Sequence, residues 1–116
     1  MGDFRILRVW QKAKELAVKI YQLVKKQSIS KDFGYKDQLQ RAAISIPSNI
    51  AEGDELGTDK QSIRHFYIAK GSCAELQTLI IIGSEIGYID NDVSNTLLNE
   101  CKMISFMLAK IIQARS

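Results

Sequence analysis

Proline occurs once in this chain, at Pro47, in the middle of a stretch whose pattern is otherwise that of an α-helix. Apolar residues recur at three- and four-residue steps through this stretch, Tyr35–Gly53, which places them on one stripe of a helix. They are Leu39, Ala42, Ala43, Ile46 and Ile50. Proline lacks an N–H and crowds the carbonyl four residues earlier, so it costs about 3 kcal/mol inside a helix and bends the axis. If a second helix began at Pro47 instead, its N-cap would be Ile46, which has no side-chain oxygen. We therefore predict one helix with a kink at Pro47, ending at Gly53.

A second, narrower apolar stripe runs beside the first and consists of Ile44, Pro47 and Ala51. The opposite side carries Arg41, Ser45, Ser48 and Glu52, which we expect to face solvent. Two apolar stripes predict a helix that packs against more than one neighbour, either inside the same bundle or in another subunit.

Three further stretches have helical periodicity. Together with the proline-containing helix they give predicted helices at about residues 7–27, 35–53, 58–86 and 91–114. Thr58 and Gln61 match a capping box, and Asp90 or Asn91 is the expected cap of the last helix. Asp32 or the Gly34 region is the expected start of the second helix, after a polar linker at 28–34. Residues 54–57 are predicted to be a loop.

One proline and seven glycines suit an all-helical chain, and 116 residues suit one domain. We therefore predict an all-α fold: an antiparallel up-down-up-down four-helix bundle in a single domain, residues 1–116.

The predicted third helix is apolar almost all round at residues 79–82, which a surface helix of a monomer would leave partly exposed. Gly71 costs about 1 kcal/mol in the middle of this helix, and the close approach of a neighbouring backbone would explain it. We predict an oligomer interface at Ile44, Pro47, Ala51, Ile63, Tyr67, Ile81 and Ile82.

Positive charge is concentrated in the first third of the chain. Residues 1–41 carry ten Lys/Arg against four Asp/Glu, a balance of +6, while the whole chain has a net charge of +3. The candidate nucleic-acid-binding residues on the first helix are Arg8, Lys12, Lys14, Lys19, Lys25 and Lys26. They would bind RNA phosphates in a salt-sensitive way. The alternative is that these side chains only keep the polar face of the helix solvated.

The chemistry-bearing residues are few, because the chain has two cysteines and one histidine. Cys73 and Cys101 are expected to be buried thiols of a reducing compartment, and His65 is expected to lie on a solvated surface. We predict no catalytic residue, no metal site and no cofactor. No segment reaches the ~18 apolar residues of a membrane span. Because the start also lacks a signal-peptide pattern, we expect a cytoplasmic protein with no membrane partner.

Four motifs in this chain resemble a known family. The segments 41–53 (RAAISIPSNIAEG), 7–13 (LRVWQKA), 66–76 (FYIAKGSCAEL) and 87–89 (GYI) are similar to the four-helix-bundle proteins encoded in intervening sequences of bacterial 23S ribosomal RNA genes. The resemblance implies a ring-forming homopentamer associated with ribosomal RNA. A similar accessory protein of diversity-generating retroelements partners a reverse transcriptase and its RNA.

Two functions are therefore expected. The first is a non-enzymatic oligomer that binds RNA through a basic surface. The alternative is a protein-assembly scaffold, or an accessory subunit for a protein partner such as a retroelement reverse transcriptase.

Overall fold

The structure is a computed structural model that describes residues 3–56 and 58–116. In these ranges the chain is helical and contains no strand. A 3-10 turn at Phe4–Ile6 precedes α1 (Arg8–Leu23), α2 (Gln27–Ser30), α3 (Phe33–Glu55), α4 (Asp59–Glu85) and α5 (Asn91–Arg115). The four long helices confirm the prediction of an all-α bundle.

Helix α3 runs without interruption through Pro47, so the single-helix interpretation of this stretch is confirmed. A bend of its axis at Pro47 stays a prediction. The predicted end at Gly53 is wrong, because the helix continues to Glu55 and the N–H of Leu56 still donates to the Glu52 carbonyl. Gly53 has a different role: a Cβ there would lie 2.8 Å from Cε1 of Phe66, so the missing side chain admits that ring. Gly57, which was expected in the following loop, lies outside the described residues.

The connection between α1 and α3 differs from the predicted linker. Helix α1 ends at Leu23, four residues before the predicted boundary, and the short α2 lies between the two long helices. Its Ile29 is fully buried and anchors this segment on the core. Asp32 is the N-cap of α3 and accepts a hydrogen bond from the N–H of Tyr35. One isolated apolar residue gives no periodic signal, so sequence pattern alone could not show this helical turn.

The predicted caps of the last two helices are present. Thr58 caps α4, where its Oγ1 accepts from the N–H of Gln61 at 3.3 Å. The Gln61 side chain contacts the Thr58 hydroxyl at 3.3 Å. Asp90 occupies the N-cap position of α5, after a turn in which Gly87 has a positive φ of 83°.

Helices α3 and α4 are joined by hydrogen bonds near both ends of their contact. The hydroxyl of Tyr35, at the start of α3, donates to the Leu79 carbonyl near the end of α4 at 2.5 Å. The hydroxyl of Ser62, at the start of α4, donates to the Gly53 carbonyl near the end of α3 at 2.5 Å. The up-down-up-down order of the whole bundle stays a prediction.

The core consists of the predicted apolar stripes. The five residues of the main α3 stripe are all buried, as are six on α4: Phe66, Ala69, Cys73, Leu76, Ile80 and Gly83. Ser45, which was expected on the solvent face of α3, instead lies against α4, where its hydroxyl accepts from Ser72 at 2.8 Å. A short hydroxyl fits between packed helices when it finds a partner, so polarity alone misplaced this residue.

Gly83 gives a test of the α3–α4 packing. A Cβ at this position would overlap the Tyr35 hydroxyl and lie 2.8 Å from Cδ1 of Ile89. Gly83→Ala should therefore lower the free energy of unfolding by about 1–3 kcal/mol through overpacking, measured by urea denaturation.

Gly34→Ala is the matched control, because an added Cβ there meets only Asp32 Oδ1, at 4.0 Å, in the exposed first turn of α3. It should leave stability unchanged or raise it by up to about 1 kcal/mol. Equal stability of Gly83→Ala and the unmodified protein would contradict the described packing.

Candidate interaction surfaces

An open groove of about 690 Å³ lies between α1 and α3. Its residues are Trp10, Lys14, Ala17, Val18, Tyr21 and Gln22 from α1, Lys25 from the turn after α1, and Ile44, Pro47, Ser48 and Ala51 from α3. We call it the α1–α3 groove. Most of its wall is apolar, and the two lysines contribute positive charge near its ends.

Helical spacing explains how the sequence builds this groove. On α1, steps of three and four residues connect Trp10, Lys14, Val18 and Tyr21, so these side chains share one side of the helix, and Lys25 follows in the turn after it. On α3, the second apolar stripe supplies the facing wall. The ring of Phe4 packs edge-on against Trp10, with 5.1 Å between ring centroids, and positions the indole at one end.

Large apolar side chains in the groove are exposed. Val18 is 49%, Tyr21 41% and Ile44 44% exposed, although all three belong to long, well-formed helices. A cluster of such residues with a polar rim is the usual character of an interaction site rather than of an ordinary monomer surface.

A second exposed apolar surface lies on α4. Tyr67 is 57% exposed, and Ile81 and Ile82 are each 45% exposed. The small residues Gly71, Ala74 and Thr78 lie between them on the same side of the helix, and a Cβ at Gly71 would meet no atom within 4 Å. Arg64, Glu75 and Glu85 are exposed on or beside this stripe and Lys70 is half-buried there, so charges of both signs border it. We call this surface the α4 face.

The predicted interface residues are therefore divided between two surfaces. Ile44, Pro47 and Ala51 line the α1–α3 groove, whereas Tyr67, Ile81 and Ile82 form the α4 face. Ile63 is half-buried and packs against the core of its own chain. The assignment of these residues to an oligomer interface stays a prediction.

The predicted basic residues do not form a single patch either. Lys14 and Lys25 lie at the α1–α3 groove. Lys12 and Lys19 line a small pocket next to α5, where Lys19 Nζ approaches Glu100 Oε1 at 2.5 Å.

Lys26 donates to the Tyr88 carbonyl at 2.9 Å, and Arg8 is exposed one turn before Lys12. Two of the six cations are thus already engaged inside the chain. Their role in binding nucleic acid stays a prediction.

His65 takes part in a polar network between α3 and α4, which corrects the expectation of a solvated position. Its Nδ1 lies 2.9 Å from Oδ1 of Asn49, whose Nδ2 donates to the carbonyl of Ser45. Because that amide oxygen can only accept, the hydrogen bond requires the proton on His65 Nδ1. Glu52 Oε2 is 3.7 Å from the same nitrogen. The network holds the two helices in register.

Both cysteine thiols are buried, as predicted. Burial raises the pKa of Cys73 to about 12, and burial together with Cys73 raises the pKa of Cys101 to about 12. Such thiols stay protonated near neutral pH, which makes them poor nucleophiles and poor metal ligands. Across residues 3–56 and 58–116, no group of three or more His, Cys, Asp or Glu side chains could hold a metal ion. No helix in the described part of the chain is long and apolar enough to cross a membrane.

Sequence reasoning missed two residues of the α1–α3 groove, Val18 and Tyr21. The signal was present, because both are apolar residues outside the core stripe of α1, three residues apart, between Lys14 and Lys25. Apolar residues among lysines on the polar side of a helix indicate a second contact surface.

Fold and surfaces together define the class: a small helical-bundle protein with two exposed apolar surfaces and buried, unreactive thiols. The chain belongs to the family of 23S rRNA-intervening sequence proteins, whose family model matches residues 5–110.

A similar solved structure is a protein of unknown function from the S23 ribosomal protein family of Bacteroides thetaiotaomicron. The two chains are 27% identical and superpose with a TM-score of 0.85, over 90% of this chain and 97% of that chain. A comparison with curated proteins finds no match.

Proposed function

We propose that this chain is a non-enzymatic subunit of a homo-oligomer. The observation that carries the proposal is the α1–α3 groove, where Val18, Tyr21 and Ile44 are exposed side by side along two packed helices. Burying a large aliphatic or aromatic side chain contributes about 1.5–3 kcal/mol, so covering this cluster gives a substantial driving force for association.

The α4 face also supports association, because it is a second exposed apolar surface, formed by a helix that does not line the groove. A dimer with one self-complementary contact covers a single surface on each copy, whereas a ring covers two. Two surfaces therefore favour a ring over a simple dimer. The family resemblance implies five copies, and we propose this number.

RNA binding is the second candidate function. Its support is the family, which is defined by proteins encoded within 23S ribosomal RNA genes, and the excess of basic residues over acidic ones in residues 1–41. Of the six predicted basic residues, Arg8 and Lys12 are those that lie outside the α1–α3 groove and whose side chains make no hydrogen bond or ion pair within the described residues. A ring repeats this modest charge on every subunit, and the resulting multivalency strengthens binding to a long RNA.

Assembly is tested with three glutamate variants. Ile44→Glu and Ile81→Glu place a charge in the α1–α3 groove and on the α4 face, so each should convert the oligomer to a monomer of about 13.1 kDa while leaving the helix content unchanged. Phe106→Glu is the control, since Phe106 is 63% exposed on α5, outside both surfaces, and its replacement should leave the oligomer intact. Sedimentation velocity and circular dichroism measure the two properties.

An unchanged oligomer mass in both Ile44→Glu and Ile81→Glu would exclude these surfaces from the interface. Loss of helicity in either variant would place that residue in the core of the single chain instead.

RNA binding is tested by fluorescence anisotropy with a structured RNA at two salt concentrations. Reversing Arg8 and Lys12 together to glutamate should weaken binding at low salt by about tenfold or more. It should also reduce the slope of log K against log salt concentration by about two, since two phosphate contacts are lost. The control reverses Lys102 and Lys110 on α5, which changes the net charge equally and should have a smaller effect.

The absence of RNA binding at low salt would contradict the second candidate. The assembly would then be a scaffold for a protein partner.

A further inference from the structure

We propose that Asp54 and Phe66 form a guanidinium-binding site at one end of the bundle. Helix α5 fills this site with its own Arg115, and a guanidinium group of another molecule can take the place of Arg115. Neither Asp54 nor Phe66 lines the α1–α3 groove or belongs to the α4 face, so the proposal does not depend on the proposed homo-oligomer.

The carboxylate of Asp54 is buried and only partly paired. Among residues 3–56 and 58–116 it is the one charged side chain that is buried, with 7% of its surface exposed. Arg115 Nη2 donates to Oδ1 at 3.3 Å, which is longer than the about 2.7–2.9 Å of a strong charged hydrogen bond. Oδ2 has no hydrogen-bond partner in the described part of the chain. Since a buried carboxylate is costly unless both oxygens are paired, Asp54 has capacity for a better-placed donor.

The second wall of the site is the ring of Phe66. The guanidinium carbon of Arg115 lies 5.0 Å from the ring centroid, in the position of a cation over an aromatic face. A planar guanidinium stacks on such a ring and can donate two parallel hydrogen bonds to a carboxylate, whereas an ammonium group acts as a point charge. A carboxylate beside an aromatic face therefore suits arginine better than lysine.

The two walls are held in place without help from α5. Asp54 belongs to α3 and Phe66 to α4, and the missing side chain of Gly53 admits the Phe66 ring between them. The hydroxyl of Ser62 on α4 donates to the Gly53 carbonyl at 2.5 Å, directly before Asp54. Because these contacts already position the carboxylate against the ring, a ligand does not have to order them on binding.

Arg115 is a replaceable occupant. It is the last residue of α5, its side chain is 29% exposed, and helix ends open more readily than helix centres. From this position it reaches one of the two Asp54 oxygens. A guanidinium that is not attached to α5 is free to turn two N–H groups toward both oxygens. The external ligand thus gains a contact that Arg115 does not make.

The charges around the site favour a cationic ligand. Residues 42–59 contain four acidic residues and no lysine or arginine. Lys60 and Arg64 follow on α4, where both are exposed and, by helical spacing, lie on other sides of the helix than Phe66. Arg115 is therefore the cation that the structure places in contact with Asp54.

The test uses the full chain with Arg115→Ala, which vacates the site, and N-methylguanidinium as the probe. Amide chemical shifts of the nitrogen-labelled protein should change in a saturable way, most strongly at Gly53, Asp54 and Phe66. The wild-type protein should bind the probe at least about tenfold more weakly, because tethered Arg115 competes at a high effective concentration.

Two controls define the chemistry. Adding Asp54→Asn to Arg115→Ala should weaken binding of N-methylguanidinium at least about tenfold, since the carboxylate supplies the charged hydrogen bonds. Methylammonium should also bind the Arg115→Ala variant at least about tenfold more weakly than N-methylguanidinium.

A peptide distinguishes the two sources of the ligand. If the natural ligand is an arginine side chain of a protein, acetyl-glycyl-arginyl-glycinamide should bind the Arg115→Ala variant more tightly than N-methylguanidinium, and its lysine counterpart should bind more weakly. Equal affinity of the arginine peptide and N-methylguanidinium would indicate a site for the head group alone.

Three results would overturn the proposal: no saturable shifts at Gly53, Asp54 and Phe66, equal binding of methylammonium, or binding that survives Asp54→Asn. If Arg115→Ala lowers the helix content, circular dichroism supplies the readout. A ligand that binds only the folded chain stabilises it by mass action, so N-methylguanidinium should then restore helicity where methylammonium does not. Failure to restore it would equally contradict the site.

Discussion

The close packing of α3 on α4 is the constraint on which the rest of this structure depends. Gly53 admits the ring of Phe66 at one end, and Gly83 admits the Tyr35 hydroxyl at the other. Hydrogen bonds from Ser62 to the Gly53 carbonyl and from Tyr35 to the Leu79 carbonyl occur at the same two ends. Contacts at both ends fix the register of the two helices. The outward-facing residues of each helix are thereby fixed as well.

The exposed surfaces follow from that register. With its main apolar stripe buried in the core, α3 directs Ile44 and Ala51 toward the edge it shares with α1, where α1 contributes Val18 and Tyr21. For the same reason, packing the main stripe of α4 inward leaves Tyr67, Ile81 and Ile82 outside. Both apolar surfaces are thus consequences of a well-packed core, and among residues 3–56 and 58–116 no further helix covers them.

Much of the fold could be predicted from the sequence, because periodicity reports directly which side of a helix is apolar. The buried stripes of α3 and α4 are examples, and so is the N-cap at Asp32. Periodicity fails where a contact depends on one residue, as with Ile29 in the short α2. It fails equally where polar groups find partners in another helix, as with His65 and Asn49.

The candidate interaction surfaces could be predicted from the sequence only in part, for a related reason. Sequence shows that α1 is rich in lysine, but the partner of Lys19 is Glu100, 81 residues away, and no local pattern reveals such a pair. The division of the basic residues between two sides of α1 therefore required the structure. Likewise, the residues on the second apolar stripe of α3 could be identified from spacing, whereas the opposing α1 wall depended on which helix lies beside it.

Hydroxyl-radical footprinting tests the central claim, that both apolar surfaces are covered by other copies, most directly. Tyr21 reports on the α1–α3 groove, Tyr67 on the α4 face, and Phe106 on a surface outside both. In the wild-type protein, both tyrosines should be protected relative to the Ile44→Glu variant, while Phe106 reacts equally in the two. Equal oxidation of Tyr21 and Tyr67 in the wild-type protein and the variant would contradict the account.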